Sequence, residues 1–312
     1  MTRLLIGYDA SDSARAAIAA AAALFPGAEA VVATVQPPPP TVEAGAMARI
    51  ALPDSVIREG MERLRAENER QGRETVAEAA AIYADASGSA AATVVLPALS
   101  VWRALRDEAR RREADVLICG TRGEGRLDRF VLGSTASSLV HHVELPLLIV
   151  PAGASNLDGP VLAGFDESDG AREALRFAAA HLPQRRVTVA HAWRSPVRHS
   201  MRGQVLAHSG FDLFEEYAAA VDQVWAEVAE ETADDGAAYA RTLGLEADAV
   251  APESGHGAAQ ALLKGARVAN AAVLLVGSRG RGAVASTVLG SVASGLVHAA
   301  ALPVLVVPDV NA

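Results

Sequence analysis

Cysteine is almost missing from this chain: Cys119 is the only one in 312 residues. An intrachain disulfide is therefore excluded, and so is a thiolate metal site, which needs several sulfurs. Cys119 ends an apolar run, so a small buried core residue is expected there. Lysine is equally scarce, Lys264 being the only one among 28 basic residues. Its surroundings do not spell the phosphate loop G-x4-G-K-[ST], so that ATPase signature is absent. Positive charge is not in excess either. A net charge of −9 argues against nucleic acid as a partner, since a phosphate backbone calls for a basic surface. No apolar run approaches the ~18–20 residues needed to cross a bilayer. Met1 is followed by Thr2, Arg3 and a short strand-like run with no signal-peptide pattern, so a cytoplasmic protein without membrane contact is expected. What remains is globular: 51% hydrophobic and 21% charged, long enough for two domains with separate cores.

Those two domains are copies. A constant offset of 157 residues carries Asp9 onto Asp166, and Gly120, Gly123 and Gly133 onto Gly277, Gly280 and Gly290. The same offset carries His141 onto His298 and Leu145-Pro146 onto Leu302-Pro303. A whole domain is duplicated, with expected bounds 1–151 and 159–308 and a small-residue linker between them.

Each copy alternates short apolar runs with helical stretches. In the first, strands are expected at Leu4–Tyr8, Ala30–Val35, Thr93–Leu96, Asp115–Cys119 and Leu147–Val150. Helices are expected from a cap at Ser11 or Asp12 to about Leu24, over Asp54–Tyr83 with Val56, Ile57, Met61 and Leu64 on one stripe, over Ser100–Arg112, and over Ser134–His142. The second copy repeats the order from Val161 to Val307. Apolar strands alternating with helices imply an α/β fold: two tandem five-stranded parallel sheets, Rossmann-like, each covered on both faces. Such sheets bind ligands where the strand order reverses, at the carboxyl ends of the strands.

After the fourth strand of each copy comes a glycine-rich loop, GTRGEGRLDRFVLGST from Gly120 and GSRGRGAVASTVLGSV from Gly277. Both have the spacing G-x2-G-x9-G-S. Glycines let a backbone take positive φ and approach an anion without a side chain in between. Gly133-Ser134 and Gly290-Ser291, followed by Thr135 and Val292, open a helix whose free N–H groups favour phosphate. Arg122, Arg126, Arg279 and Arg281 can add charge-assisted contacts. No G-x-G-x-x-G is present.

The loop spacing, the strand-Asp starts (LLIGYDAS, VLAGFDES) and the endings HVELPLLIVP and HAAALPVLVVP together resemble the nucleotide-binding branch of the universal stress protein family, in its tandem form. The resemblance covers nearly the whole chain and implies an ATP-binding regulatory or stress-response protein, with ATP between the first and fourth strands of each copy. It implies that Asp9 and Asp166 bond the ribose or adenine side, and that Gly7 and Gly164 let the chain pass close to the ligand. Val35 and Ala192 would contact adenine; Gly120, Gly123, Gly133 and Ser134, with Gly277, Gly280, Gly290 and Ser291, would hold phosphates. It extends to slow ATP hydrolysis in some members and to pairing of the two halves through their last strands, a pseudo-dimer within one chain; a further homodimer and an unidentified protein partner are compatible with it. Two departures stand out. Where many members read D-G-S, this chain has Asp9-Ala10-Ser11 and Asp166-Glu167-Ser168. Ala192 is smaller than the usual valine and Glu167 places negative charge beside an anion site, so weaker binding is expected in the second copy.

No general base or water-positioning residue is evident, which argues against a dedicated catalyst. A scaffold acting through protein contacts, its pockets empty or structural, is the alternative. An adenylyl-transferring relative would need an S-G-G-x-D-S loop, and none is present. His141, His142 and His298 sit where a helix end favours imidazole. His199, His208 and His256 lack ligand spacing, so no metal site is assigned. Glu124 and Asp128 could help hold Mg brought by ATP, although acidic residues in such a loop are more often simply solvated.

Overall fold

The computed structural model describes residues 1–38, 54–121, 123, 132–142, 144–197, 211–281 and 289–309. The first copy runs β1 (Arg3–Gly7), α1 (Asp12–Leu24), β2 (Glu29–Gln36), α2 (Asp54–Ser87), β3 (Ala92–Pro97), α3 (Val101–Arg111), β4 (Val116–Gly120), α4 (Ser134–His142) and β5 (Leu147–Val150). The second runs β6 (Val161–Gly164), α5 (Asp169–His181), β7 (Val187–Ala190), α6 (Phe211–Thr242), β8 (Ala247–Val250), α7 (Ala258–Val268), β9 (Val273–Gly277), α8 (Ser291–Ala299) and β10 (Val304–Val307).

The strands are apolar throughout because both faces of the sheet are covered. Leu4 and Ile6 enter one core, with α1, α2, α5 and α6; Leu5 enters the other, with α3, α4, α7 and α8. Within each copy all pairings are parallel, in the order β3-β2-β1-β4-β5 and β8-β7-β6-β9-β10. β5 and β10 would be bare edges in isolated copies, and edges seek partners. They pair antiparallel, with Leu148 opposite Leu305, making one ten-stranded sheet with a buried seam.

Away from the seam, Arg185 holds the copies together. Its guanidinium donates to the carbonyls of Leu157 (2.8 Å) and Gly159 (3.1 Å) beside the linker, and to that of Ala23 at the end of α1 (2.5 Å). Among the described residues no helix is long and apolar enough to cross a membrane.

Three expectations are corrected. β1 and β6 end at Gly7 and Gly164, before Tyr8 and Phe165, because the chain turns there toward the helix. Ala192 lies two residues beyond β7, whereas Val35 is inside β2. The stripe at Val56 and Leu64 is not core: they are 48% and 51% exposed, and α2 buries its later residues Val76, Ala79 and Tyr83 instead.

Candidate functional site

In each copy the strand order reverses between β1 and β4, or β6 and β9, and their carboxyl ends part into a crevice. The turn leaving β1 is set by Asp9, whose Oδ1 accepts from the N–H of Ser11 (3.1 Å). Ser11 Oγ then caps α1 by accepting from the N–H of Ala14 (3.2 Å). The second copy matches: Asp166 Oδ1 accepts from Ser168 N–H (3.1 Å), and Ser168 Oγ caps α5 through Ala171 N–H (3.2 Å). Between aspartate and serine the chain must pass through the left-handed region, with φ of 63° at both Ala10 and Glu167. That is the physical reason for a glycine at this position in the D-G-S pattern.

The described start of the glycine loop lies against this turn, Gly123 beside Asp9 and Gly280 beside Asp166. It is closed at its base by Gly133 N–H to the Thr121 carbonyl and Gly290 N–H to the Ser278 carbonyl, both 2.7 Å. In the second copy Asp166 Oδ2 reaches across to accept from the backbone N–H of Arg281 (3.0 Å), and the Arg281 side chain pairs with Glu167. Asp166 therefore staples loop to turn, a role the sequence reading did not assign. The loop glycines correct a further expectation. None of the described ones has positive φ; they are present for close approach. A Cβ on Gly120 would lie 2.7 Å from the Ser13 carbonyl carbon, and one on Gly277 would lie 2.5 Å from that of Gly170, so these two let helix and strand touch. A Cβ on Gly123 would meet only the Asp9 carboxylate, at 2.7 Å, and one on Gly280 only that of Asp166.

Two cavities result, of about 280 Å³ in the first copy and about 470 Å³ in the second. Gly7, Asp9, Val35, Gly120, Gly123, Gly133, Ser134 and Thr135 all line the first. Gly164, Asp166, Ala192, Gly277, Arg279, Gly280, Arg281, Gly290, Ser291 and Val292 all line the second. Arg122, Arg126, Glu124 and Asp128 lie outside the described residues, as do His199 and His208. The sequence reading missed Leu105 and Leu262, which form apolar walls, together with Tyr8, Phe165, Thr34 and His191. Their signal was present, since the 157-residue offset carries Leu105 onto Leu262, Tyr8 onto Phe165 and Thr34 onto His191.

The polar inventory suits an anion. Gly290 caps α8 with no side-chain bond, and Ser291, Val292 and Ala293 line the cavity, so the first-turn N–H groups of that helix are available there. Arg279 Nε and Thr121 Oγ1 are buried at the two cavities without a hydrogen-bond partner. Orphaned polar atoms beside side-chain-free backbone fit a phosphate-bearing ligand. Cys119, in the floor of the first cavity, is buried, and burial followed by the Asp9 charge pushes its thiol up to about 12. It is a wall and not a nucleophile. In the second cavity His191 Nδ1–H donates to the Phe165 carbonyl (2.8 Å). His142 and His298 are likewise satisfied locally, each 2.8 Å from the carbonyl of Ser138 or Ser294 one turn earlier. Among the described residues no group of acidic, His or Cys side chains is placed to hold a metal ion.

Comparison with known proteins fits this architecture. The model of the universal stress protein family matches residues 1–151 and again 159–308. A universal stress protein of Mycolicibacterium smegmatis is 28% identical over 252 residues, 77% of either chain. The crystal structure of a universal stress protein from Archaeoglobus fulgidus DSM 4304 superposes over 98% of both chains at a TM-score of 0.59 and 18% identity. Another from Archaeoglobus fulgidus, solved in complex with dAMP, covers 48% of this chain and 97% of its own at 22% identity and a TM-score of 0.33. With the family model matching both copies from end to end, the chain belongs to the universal stress protein family, as a tandem of two such domains.

Proposed function

We propose that this protein binds one adenine nucleotide, ATP, in each copy and acts as a regulatory or stress-response protein, not a dedicated catalyst. One observation carries the reading: every described residue that the motif singled out lines one of two matching cavities at the strand-order reversals. In this reading Val35 and Ala192 face adenine, with Leu105 and Leu262 as apolar walls. Asp9 and Asp166 stand at the ribose end. Gly123, Gly133 and Ser134, with Gly280, Gly290 and Ser291, carry the phosphates on backbone amides and a helix N-terminus. Glu167 occupies Arg281, which withholds a cation from the phosphates, so the second cavity binds more weakly.

The test is to denature the purified protein and measure released nucleotide, then titrate the emptied protein with ATP and Mg by calorimetry. Stoichiometry near two supports both cavities, with Gly123→Val and Gly280→Val each removing one. No nucleotide and no binding heat would return the protein to the class of scaffolds.

A further inference from the structure

We infer that the outer face of α6 is a docking surface for a cationic amphipathic helix of another protein. The buried side of this helix is spaced for its own sheet: Ala218, Ala229, Ala233, Ala237 and Ala240. A second apolar row runs along the side turned away. Tyr217, Val221, Val224 and Val228 follow one another at intervals of four, three and four residues, the seam spacing of paired helices. Tyr217 is 62% exposed, Val224 58% and Val228 52%, and Trp225 beside them is 50% exposed. Together they bare roughly 400 Å² of apolar surface, the size of patch that marks interaction sites.

The charge around the row selects the occupant. From Glu215 to Asp235 the helix carries eight acidic residues and no lysine or arginine. Glu216, Glu227, Glu230, Glu231, Asp234 and Asp235 are exposed. Pairing with α6 of a second copy would set these carboxylates against their own kind, whereas a basic helix would meet them with opposite charge. The fold does not require such acidity. In α2, the same element of the first copy, arginines alternate with the acids and pair with them, as Arg63 does with Glu59 and Arg70 with Glu67 and Glu74.

The full-length protein is titrated with a synthetic amphipathic helix of leucine and lysine, and with a scrambled peptide of identical composition. Tryptophan emission, to which Trp102 and Trp193 also contribute, is followed for the parent, and sedimentation for parent and variants alike. Saturable binding with a blue shift is expected, about tenfold tighter than for the scrambled peptide, and weakened by salt. Trp225→Ala combined with Val224→Asp should weaken it by about tenfold or more, and Tyr217→Ala, a milder exposed change, should weaken it measurably. Equal binding of the scrambled peptide, indifference to these substitutions, or self-association through this face without peptide would each overturn the assignment.

Discussion

Replacing Gly277 by alanine should damage the fold, and replacing Gly280, three residues on, should damage only the ligand site. A methyl on Gly277 would lie 2.5 Å from the carbonyl carbon of Gly170, 2.6 Å from its oxygen and 3.0 Å from its Cα. All three atoms are backbone at the start of α5, so no rotamer relieves the clash; the helix must retreat from β9 by about 1 Å. Overpacking of this kind costs about 1–3 kcal/mol, and with both partners being main chain about 3 kcal/mol is expected. At Gly280 the new methyl meets the Asp166 carboxylate, the movable end of a side chain. Rotating it away sacrifices its bond to Arg281 N–H, about 1 kcal/mol at this exposed position. Urea unfolding followed by circular dichroism gives both stabilities, and calorimetry with ATP gives affinity at the second cavity. Gly277→Ala as stable as the parent, or Gly280→Ala equally destabilised, would show that the glycines were sorted wrongly.

Ala10→Gly should raise stability by about 0.5–1 kcal/mol in thermal melts. It removes a left-handed penalty of about 1–2 kcal/mol while adding unfolded-state freedom. Glu167→Gly should gain less, because the pair with Arg281 goes with it. Cys119, raised from 9.0 to about 12 in the fold, contributes stability that is complete below pH 9 and disappears as pH climbs to about 12. Cys119→Ala should make the fall in stability across that window shallower, Tyr8, also raised to about 12, keeping its own share, and rapid labelling of the native thiol near neutral pH would contradict its burial. Arg185→Ala removes the bonds to the carbonyls of Ala23, Leu157 and Gly159, and should cost about 2 kcal/mol in urea unfolding.

What the sequence made legible was whatever repeats or alternates. The offset from Asp9 to Asp166 located both crevices, and the apolar runs located every strand of the sheet. What it hid were features set by distant backbone. The left-handed turn at Ala10 and Glu167 has no apolar periodicity to betray it, so the strands before it were drawn one residue too long. The bond from Arg281 N–H to Asp166 joins residues 115 apart and follows from no local spacing. Positive φ was the natural reading of the loop glycines, yet only coordinates distinguish a glycine that bends from one that lets two chains touch. The row at Tyr217, Val224 and Val228 does not stand out in the sequence, because its exposure depends on where α6 meets the sheet.

The seam between the copies constrains how the two cavities can act. Strands within a copy are parallel, while β5 and β10 are antiparallel, so the carboxyl ends of the two copies point in opposite directions. The cavities therefore lie at opposite ends of the strands and share no lining residue. Influence of one on the other can pass through β4, β5, β10 and β9, whose residues Ile118, Leu148, Leu305 and Leu275 are buried and close-packed, or through the Arg185 bonds that reach α1. Coupling needs an element with two arrangements, and close packing on both faces of the sheet opposes a second one. Two independent association constants are thus expected from calorimetry, and a cooperative isotherm would mean that the seam moves.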